Sequence, residues 1–473
     1  MAIGTWLYKA RRLALVGFGL LGYAVLLTGC SSLPEFSQLE QRLKTRASNP
    51  IQIVGSDGLL MGEFRTRIEN QLIKNTDLTQ RHLQIMQAAG ESPLVLGNSA
   101  SILIDGPQAY AAIFEAIASA KHHIHIESFI FEELEFSQTL SDLLIKKRSE
   151  GVIVRILYDS FGSKETPLAF FNRLRDNQIA VCEFNPINPL RARNGWMLNH
   201  RDHRKIVVVD GVAAFTGGIN FHQVYRTDST PTALRKSAPT IADGWRDTHL
   251  KIKGPAVAQF QQLFVDSWAK QSCDPPAQLS AEYFPKADEH GDDVMAVIGS
   301  SPNGMLSRMY LTLLAAITNA NKTIYLTAAY FIPDPNTILA LTAAAKRGVD
   351  VRLLLPGISD SWLAFHGGRS HYDVLLKAGV RIYERPDALL HAKTIVVDGA
   401  WATVGSSNVD WRSFCHNDEV NAVVIGQNFG FRMDQVFKDD LTFSTEITGE
   451  FWESRGPTMR LLEKLARQWE YIL

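Results

Sequence analysis

The chain has 473 residues, 48 Lys and Arg against 49 Asp and Glu, 46% apolar composition and four Cys. That length and apolar share make one large or two medium cored domains, which excludes collagenous, disordered and disulfide-stapled classes. A formal net charge of -1 provides no global field for gathering nucleic acid, so anion recognition must be built locally.

Lys9, Arg11 and Arg12 precede an apolar run over residues 13–27 that is shorter than a spanning helix needs. Residues 1–29 therefore read as a signal peptide, with an uncleaved anchor as the alternative. Leu27-Thr28-Gly29-Cys30 resembles a bacterial lipobox. That resemblance implies lipidation of Cys30 and a membrane-anchored lipoprotein on the periplasmic face of a bacterial envelope, with outer or inner membrane left open. Cys182, Cys273 and Cys415 lack metal-ligand spacing and read as buried free thiols.

Residues 30–92 form a polar lead segment with no legible function. From Pro93, short apolar strands alternate with amphipathic helices, which predicts an α/β body. A Pro-rich, charged stretch over 274–293 reads as a linker between a first lobe at 93–273 and a second at 294–473. The lobes look like copies: Ala116, Ile117, Ala120 and Ile124 recur 200 positions later as Ala316, Ile317, Ala320 and Ile324. Such a duplication predicts two similar lobes, each a mixed sheet flanked by helices, packed about a pseudo-twofold axis.

The strongest signal is a duplicated motif. His203, Lys205, Asp210, Gly217 and Asn220 recur at a constant offset of 188 as His391, Lys393, Asp398, Gly405 and Asn408. Each motif is rich in β-branched residues and ends in Asp-Gly, so each reads as a strand entering a turn, with His and Lys on one face. Asp210 and Asp398 stand where a turn wants Asp, so their first reading is structural even though they belong to the motif. The return strands end in turns at Gly217-Gly218 and Gly405-Ser406-Ser407. Their backbone N–H groups, with Asn220, Ser406, Ser407 and Asn408, can donate to phosphate oxygens. Two His, two Lys and two Asn brought together across the axis would make a phosphate site that needs neither metal nor cofactor.

These paired segments resemble the twin HKD motifs of the phospholipase D superfamily, from about Leu94 to the C-terminus. Four stretches are similar to bacterial cardiolipin synthase: Ile124 to Phe131, Trp245 to His249, Ala329 to Asp334, and Gly405 to Phe414. The departures are Ser128, where that subgroup often has Tyr, and a lipobox in place of paired N-terminal spans. The resemblance implies the phospholipase D fold and displacement at phosphorus through a phosphohistidine. It implies His203 as nucleophile and His391 as general acid and base, with the reverse order left open by the near symmetry of the motifs, Lys205, Lys393, Asn220 and Asn408 on the phosphoryl oxygens, and Asp247 and Glu419 orienting the histidines. The implied partners are phospholipids at a membrane, with phosphatidylglycerol or phosphatidylethanolamine as donor left open, and no nucleic acid. A hydrolytic phospholipase D uses the same residues with water as acceptor, and a non-catalytic lipid-binding envelope protein is the reading from another class. Intact paired motifs argue against the latter.

Three other features have bland readings. His122, His123 and His125 crowd one strand start without a carboxylate or Cys at ligand spacing, so they read as ordinary strand residues. Arg191, Arg193, Arg201, Arg204 and Lys205, next to Phe184, Ile187, Leu190, Trp196, Met197 and Leu198, read either as a solvated loop or as a contact to an anionic bilayer. Leu461, Leu462, Leu465, Trp469 and Ile472 follow helical spacing and predict an amphipathic helix docked on the body, with membrane contact as the alternative.

Overall fold

The computed structural model describes residues 52–56, 58–62, 92–132, 135–192, 196–229, 244–275, 280–286, 288–302 and 307–473. Cys30, the apolar run, Arg193 and most of the lead segment lie outside these residues. Among the described residues no helix is long and apolar enough to cross a membrane.

The first half runs β1 (Ile53–Gly55), β2 (Gly58–Leu59), β3 (Leu94–Ile104), α1 (Asp105–Ser119), β4 (His123–Ser128), α2 (Glu135–Ser149), β5 (Ile153–Asp159), α3 (Leu168–Asp176), β6 (Ala180–Phe184), β7 (Arg201–Asp202), β8 (Ile206–Val209), β9 (Ala213–Gly217), β10 (Thr248–Lys253) and α4 (Val257–Lys270). The second half repeats this order from β11 (Asp293–Ser300) through α5 (Arg308–Asn319), β12 (Thr323–Thr327), α6 (Pro335–Lys346), β13 (Asp350–Pro356), α7 (Trp362–Arg369), α8 (Tyr372–Lys377), β14 (Arg381–Arg385), β15 (Thr394–Val397) and β16 (Trp401–Gly405). It ends with α9 (Trp411–Cys415), β17 (Asn417–Ile425), α10 (Gln427–Leu441), β18 (Thr445–Ile447), α11 (Gly449–Glu453) and α12 (Pro457–Arg467).

Strand order makes the duplication explicit. One sheet runs β6-β5-β4-β8-β9-β10-β3, with β4, β5 and β6 parallel and the rest antiparallel. The other runs β14-β13-β12-β15-β16-β17-β11 with the same directions. Equivalent strands β3 and β11 pair with each other, Asn98 with Asp293 and Val95 with Met295, and so join the sheets at the pseudo-twofold.

The unbroken apolar runs of β8 and β15 follow from this layering, because a strand covered on both faces has no polar side. Val207 and Val209 pack into the first lobe's own core, whereas Ile206 and Val208 face the core between the lobes. In the second lobe, Ile395 and Val397 face its own core and Val396 the shared one. The shared layer also takes Phe260 of α4 and Phe429, Met433 and Phe437 of α10.

Two expectations need correction. Cys182 and Cys273 are not free thiols: they form a disulfide, with Cα atoms 5.7 Å apart and 91 residues between them in sequence. The fold lays the end of α4 against β6, a proximity that spacing alone does not reveal. Cys415 takes no part in a disulfide. The basic loop also divides, since Arg201, Arg204 and Lys205 are buried, while Leu190, Met197 and Leu198 stand exposed. Burial is tolerated because Arg201 donates to the Asn185 carbonyl at 2.9 Å, and Arg204 to Ser267 Oγ at 2.7 Å and to the Ser300 carbonyl at 3.0 Å.

Candidate active site

Asp210 and Asp398 each adopt φ of +55°, followed by Gly211 and Gly399 at +67° and +61°. Their carboxylates accept backbone N–H groups from the start of the neighbouring strand: Lys121, His122 and His123 for Asp210, and Asn321, Lys322 and Thr323 for Asp398. Both are therefore turn anchors, one strand length from the histidines. The His-x-Lys segments lie immediately before β8 and β15, in extended chain outside the ladder.

Each of these segments is stitched to the opposite lobe. The N–H of His203 donates to the Asp418 carbonyl at 2.9 Å, and that of His391 to the Arg246 carbonyl at 2.7 Å. β7 pairs with the start of β17, and Arg246 bridges to Leu390. The residues that follow those two carbonyls are Glu419 and Asp247, so the same stitches deliver an acid to each histidine. His203 Nδ1 lies 3.1 Å from both carboxylate oxygens of Glu419, and His391 Nδ1 lies 2.8 Å from Asp247 Oδ2. The acids cross between the lobes, and all four side chains are buried.

An ionised carboxylate only accepts, so a proton on Nδ1 leaves the Nε2 lone pair of the imidazole free. The two acids differ in how firmly they are ionised. Burial pushes Glu419 upward, but His203, its hydrogen bond and Lys205 outweigh burial and bring it down to about 2. Ser406 Oγ also donates to Glu419 Oε2, and Asn417 Nδ2 donates to Oε1 at 3.2 Å. Burial raises Asp247 to about 6 against the opposing pull of Lys393. A methyl group on Gly218 would fall 2.2 Å from Asp247 Oδ1, so no hydroxyl can stand there as Ser406 does beside Glu419. The Tyr225 hydroxyl lies 2.8 Å from His391 Nδ1 and shares that atom with Asp247.

The ammonium groups are held close. Lys205 Nζ donates to the His203 carbonyl at 2.6 Å and Lys393 Nζ to the His391 carbonyl at 2.5 Å. Burial lowers Lys205 to about 7 and Lys393 to about 8. Burial, with Lys393 and Lys205 nearby, also holds His391 well below the usual histidine value. Phe129 lies edge-on to His203 at 5.1 Å, and Trp245 lies 5.2 Å from His391.

The Gly-rich turns hold fewer donors than their sequence suggests. The N–H groups of Gly218, Gly405 and Ser406 are bonded to the carbonyls of Thr248, Lys393 and Val420. Those of Ser407 and Asn408 go to Asn421 Oδ1 and Ser413 Oγ. Gly217 and Gly405 are required because a methyl group there would fall 2.5 and 2.3 Å from the carbonyls of Thr248 and Val420. Among side chains, Asn220 Oδ1 accepts from Ile130 and its amide also bonds to Tyr225, the buried Ser407 Oγ lacks a partner among the described residues and can donate, and Asn408 Oδ1, also without one, only accepts.

His123 and His125 share Gln261, at 3.0 and 2.8 Å, as packed strand residues away from this cleft. Sequence reasoning missed Tyr225, the role of Ser406, and the buried cluster in which Arg246 and Arg385 both bind Asp440 while Asp105 accepts the Asp247 N–H at 2.9 Å. One signal was present. Ser406 and Tyr225 break the 188-residue repeat, standing opposite Gly218 and Ser413.

The buried groups make stability depend on acid. Burial lowers His123, His203, His249 and His416 from 6.5 to about 4, so between those values the unfolded chain binds more protons than the folded one. The lowered Glu419 acts in the same direction below 4.5, and the raised Asp247 opposes them between 3.8 and about 6. Burial also raises Asp410 to about 7 and lifts Glu127, Asp159 and Asp202, and these acids offset the histidines down to pH 4. Below that the lowered Glu419 and Asp418 lose their ionised form unopposed, so the melting temperature should fall as pH drops below 4. A melting temperature unchanged between pH 4 and 2.5 would contradict this balance.

Comparison with known proteins agrees with this geometry. The family described as "Cardiolipin synthase, PLD-like domain" matches residues 113–244 and 313–441. Cardiolipin synthase 1 of Bacillus anthracis is 36% identical over 421 residues, 85% of this chain and 79% of the relative. The cardiolipin synthase of Alkalihalophilus pseudofirmus is 33% identical over 466 residues, 98% of this chain and 87% of the relative. Among solved structures, phosphatidylserine synthase of Haemophilus influenzae shares the fold, with a TM-score of 0.59 at 14% identity over 79% of this chain and 95% of that one. The chain belongs to the cardiolipin synthase family, phosphatidyltransferases built on the phospholipase D fold.

Proposed function

We propose that the protein joins two phospholipids by exchanging one phosphodiester for another, forming cardiolipin from phosphatidylglycerol, or from phosphatidylglycerol and phosphatidylethanolamine, and releasing the small headgroup alcohol. The observation that carries this reading is the crossed pair of acids, which makes one site from two lobes and orients both histidines within it.

His203 is the nucleophile. Its Nδ1 proton is held by an acid kept ionised, so Nε2 is the free lone pair. Nε2 attacks phosphorus, a P–N bond forms and the P–O bond to the departing alcohol breaks. The entering phosphodiester anion favours the imidazolium of His391, and the leaving oxygen takes its proton. In the second half the acceptor hydroxyl gives its proton to His391, its oxygen bonds to phosphorus and the P–N bond breaks. Asp247, poised at about 6, together with Tyr225, suits a histidine that must change charge twice per turnover. A phosphodiester entering between Lys205 and Lys393 raises both toward full protonation, because an opposite charge favours the ammonium form. The two ammonium groups with Asn220 and Asn408 then stabilise the phosphoryl oxygens without a metal.

The setting proposed for this activity is the periplasmic face of a bacterial envelope, with Cys30 lipidated. The Cys182–Cys273 disulfide supports an oxidising compartment. Tethering at a bilayer also favours lipid over water as acceptor, through effective concentration. Purified protein in mixed micelles with labelled phosphatidylglycerol should give cardiolipin as main product and phosphatidic acid as minor product. Phosphatidic acid dominating at every lipid density would replace the transferase by a hydrolase.

A further inference from the structure

α12 carries an apolar sector that the body covers along one edge only. Glu463 and Ala466 face inward, whereas Leu461, Leu465 and Trp469, spaced four residues apart, are 56%, 52% and 43% exposed. The helix docks on the body, but not through the leucine stripe that predicted it, which points to solvent. Arg460, Lys464 and Arg467 stand exposed on the adjacent flank, where Arg467 Nε lies 3.8 Å from Glu470 and Arg460 donates to the Glu453 carbonyl. The helix's only acid, Glu463, is buried and paired with Arg455 at 3.1 Å. α7 packs against α12 and opens with Trp362, itself 49% exposed.

This surface adjoins the catalytic cleft at two points. Asp360, two residues before Trp362, accepts from the Tyr330 hydroxyl at 2.8 Å, and the Tyr330 ring lies 6.4 Å from His391. Beyond α12, the Leu473 carbonyl accepts from Arg412 at 2.8 Å, and Tyr471 packs against Trp411 at 5.4 Å, where α9 follows Asn408. An apolar stripe ending in Trp, flanked by cations whose stems can lie along it, has the composition of a helix that lies in a lipid interface. Local charge is complementary to lipid phosphates although the whole chain is near neutral.

We propose that Leu461, Leu465 and Trp469, with Trp362, insert into the surface of an anionic phospholipid bilayer while Arg460, Lys464 and Arg467 bind its phosphates, so that the cleft opens where its substrates lie. The inference rests on the reading of the substrate as phospholipid.

The test uses the full chain in vesicles of phosphatidylcholine and phosphatidylglycerol with brominated acyl chains. The emission lost in Trp469→Phe isolates Trp469, and the bromolipid should quench it. The double variant Leu461→Asp/Leu465→Asp should lower turnover on vesicles on the order of tenfold. Its turnover of short-chain phosphatidylglycerol below the micellar concentration should stay unchanged, which also reports that it folds. Trp469 quenched by aqueous iodide but not by bromolipid, or equal turnover on vesicles, would overturn the proposal. So would a dimer on gel filtration that the double variant abolishes, since the stripe would then bind a second copy. Loss of all turnover with Trp469 still quenched would support the docking surface and refute the phosphatidyltransferase chemistry instead.

Discussion

His203→Ala and His391→Ala should each reduce phosphatidyl transfer on the order of 10⁵-fold or more, and the double variant should be hardly slower than either single one. Non-additivity follows from the geometry. Each histidine is oriented by an acid of the opposite lobe, so neither half holds a complete His–acid pair of its own. A chain that lacks the nucleophile cannot form the phosphohistidine, and one that lacks the acid cannot release the alkoxide. Single-turnover kinetics with labelled phosphatidylglycerol would separate the cases: His203→Ala gives no labelled protein. Additive losses, or half the activity remaining in each single variant, would mean two independent sites and would break the shared-cleft account.

Glu419→Gln should be the more damaging of the two orienting substitutions, on the order of 10³- to 10⁴-fold in kcat, with Asp247→Asn costing about 10²-fold. Glu419 is firmly ionised and holds His203 through both oxygens, with Ser406 and Asn417 fixing the carboxylate in turn. Gln removes the charge and presents a donor where only acceptors belong. Asp247 lies closer to neutrality, and Tyr225 still contacts His391 Nδ1 when it is changed. The Asp247→Asn variant should also lose the acidic limb of its pH–rate profile near pH 6, which a merely structural loss would leave in place. If Asp247→Asn proves the slower of the two, the histidine roles are reversed.

Much of the site was legible in the sequence because the internal repeat preserves chemistry at constant spacing. His203, Lys205, His391 and Lys393 stand out through the 188-residue offset, and Asp-Gly after a β-branched run marks a left-handed turn wherever it occurs. The division into equivalent lobes was readable for the same reason, since apolar periodicity repeats with the strands it builds. Local rules govern these features, and local rules are written in neighbouring residues.

What only the tertiary structure decided is which groups meet across the lobes. No spacing rule joins Glu419 to His203, 216 residues away, or Tyr225 to His391, 166 residues away; the pairing of β7 with β17 and the shared apolar layer do. Gly218 and Ser406 look like interchangeable turn residues until one is seen pressed against Asp247 and the other donating to Glu419. The same holds for Cys182 and Cys273, and for the side of α12 that faces water. Burial and proximity between distant segments set these partners and their charge states, and both depend on how the sheets pack rather than on any one segment's own preference.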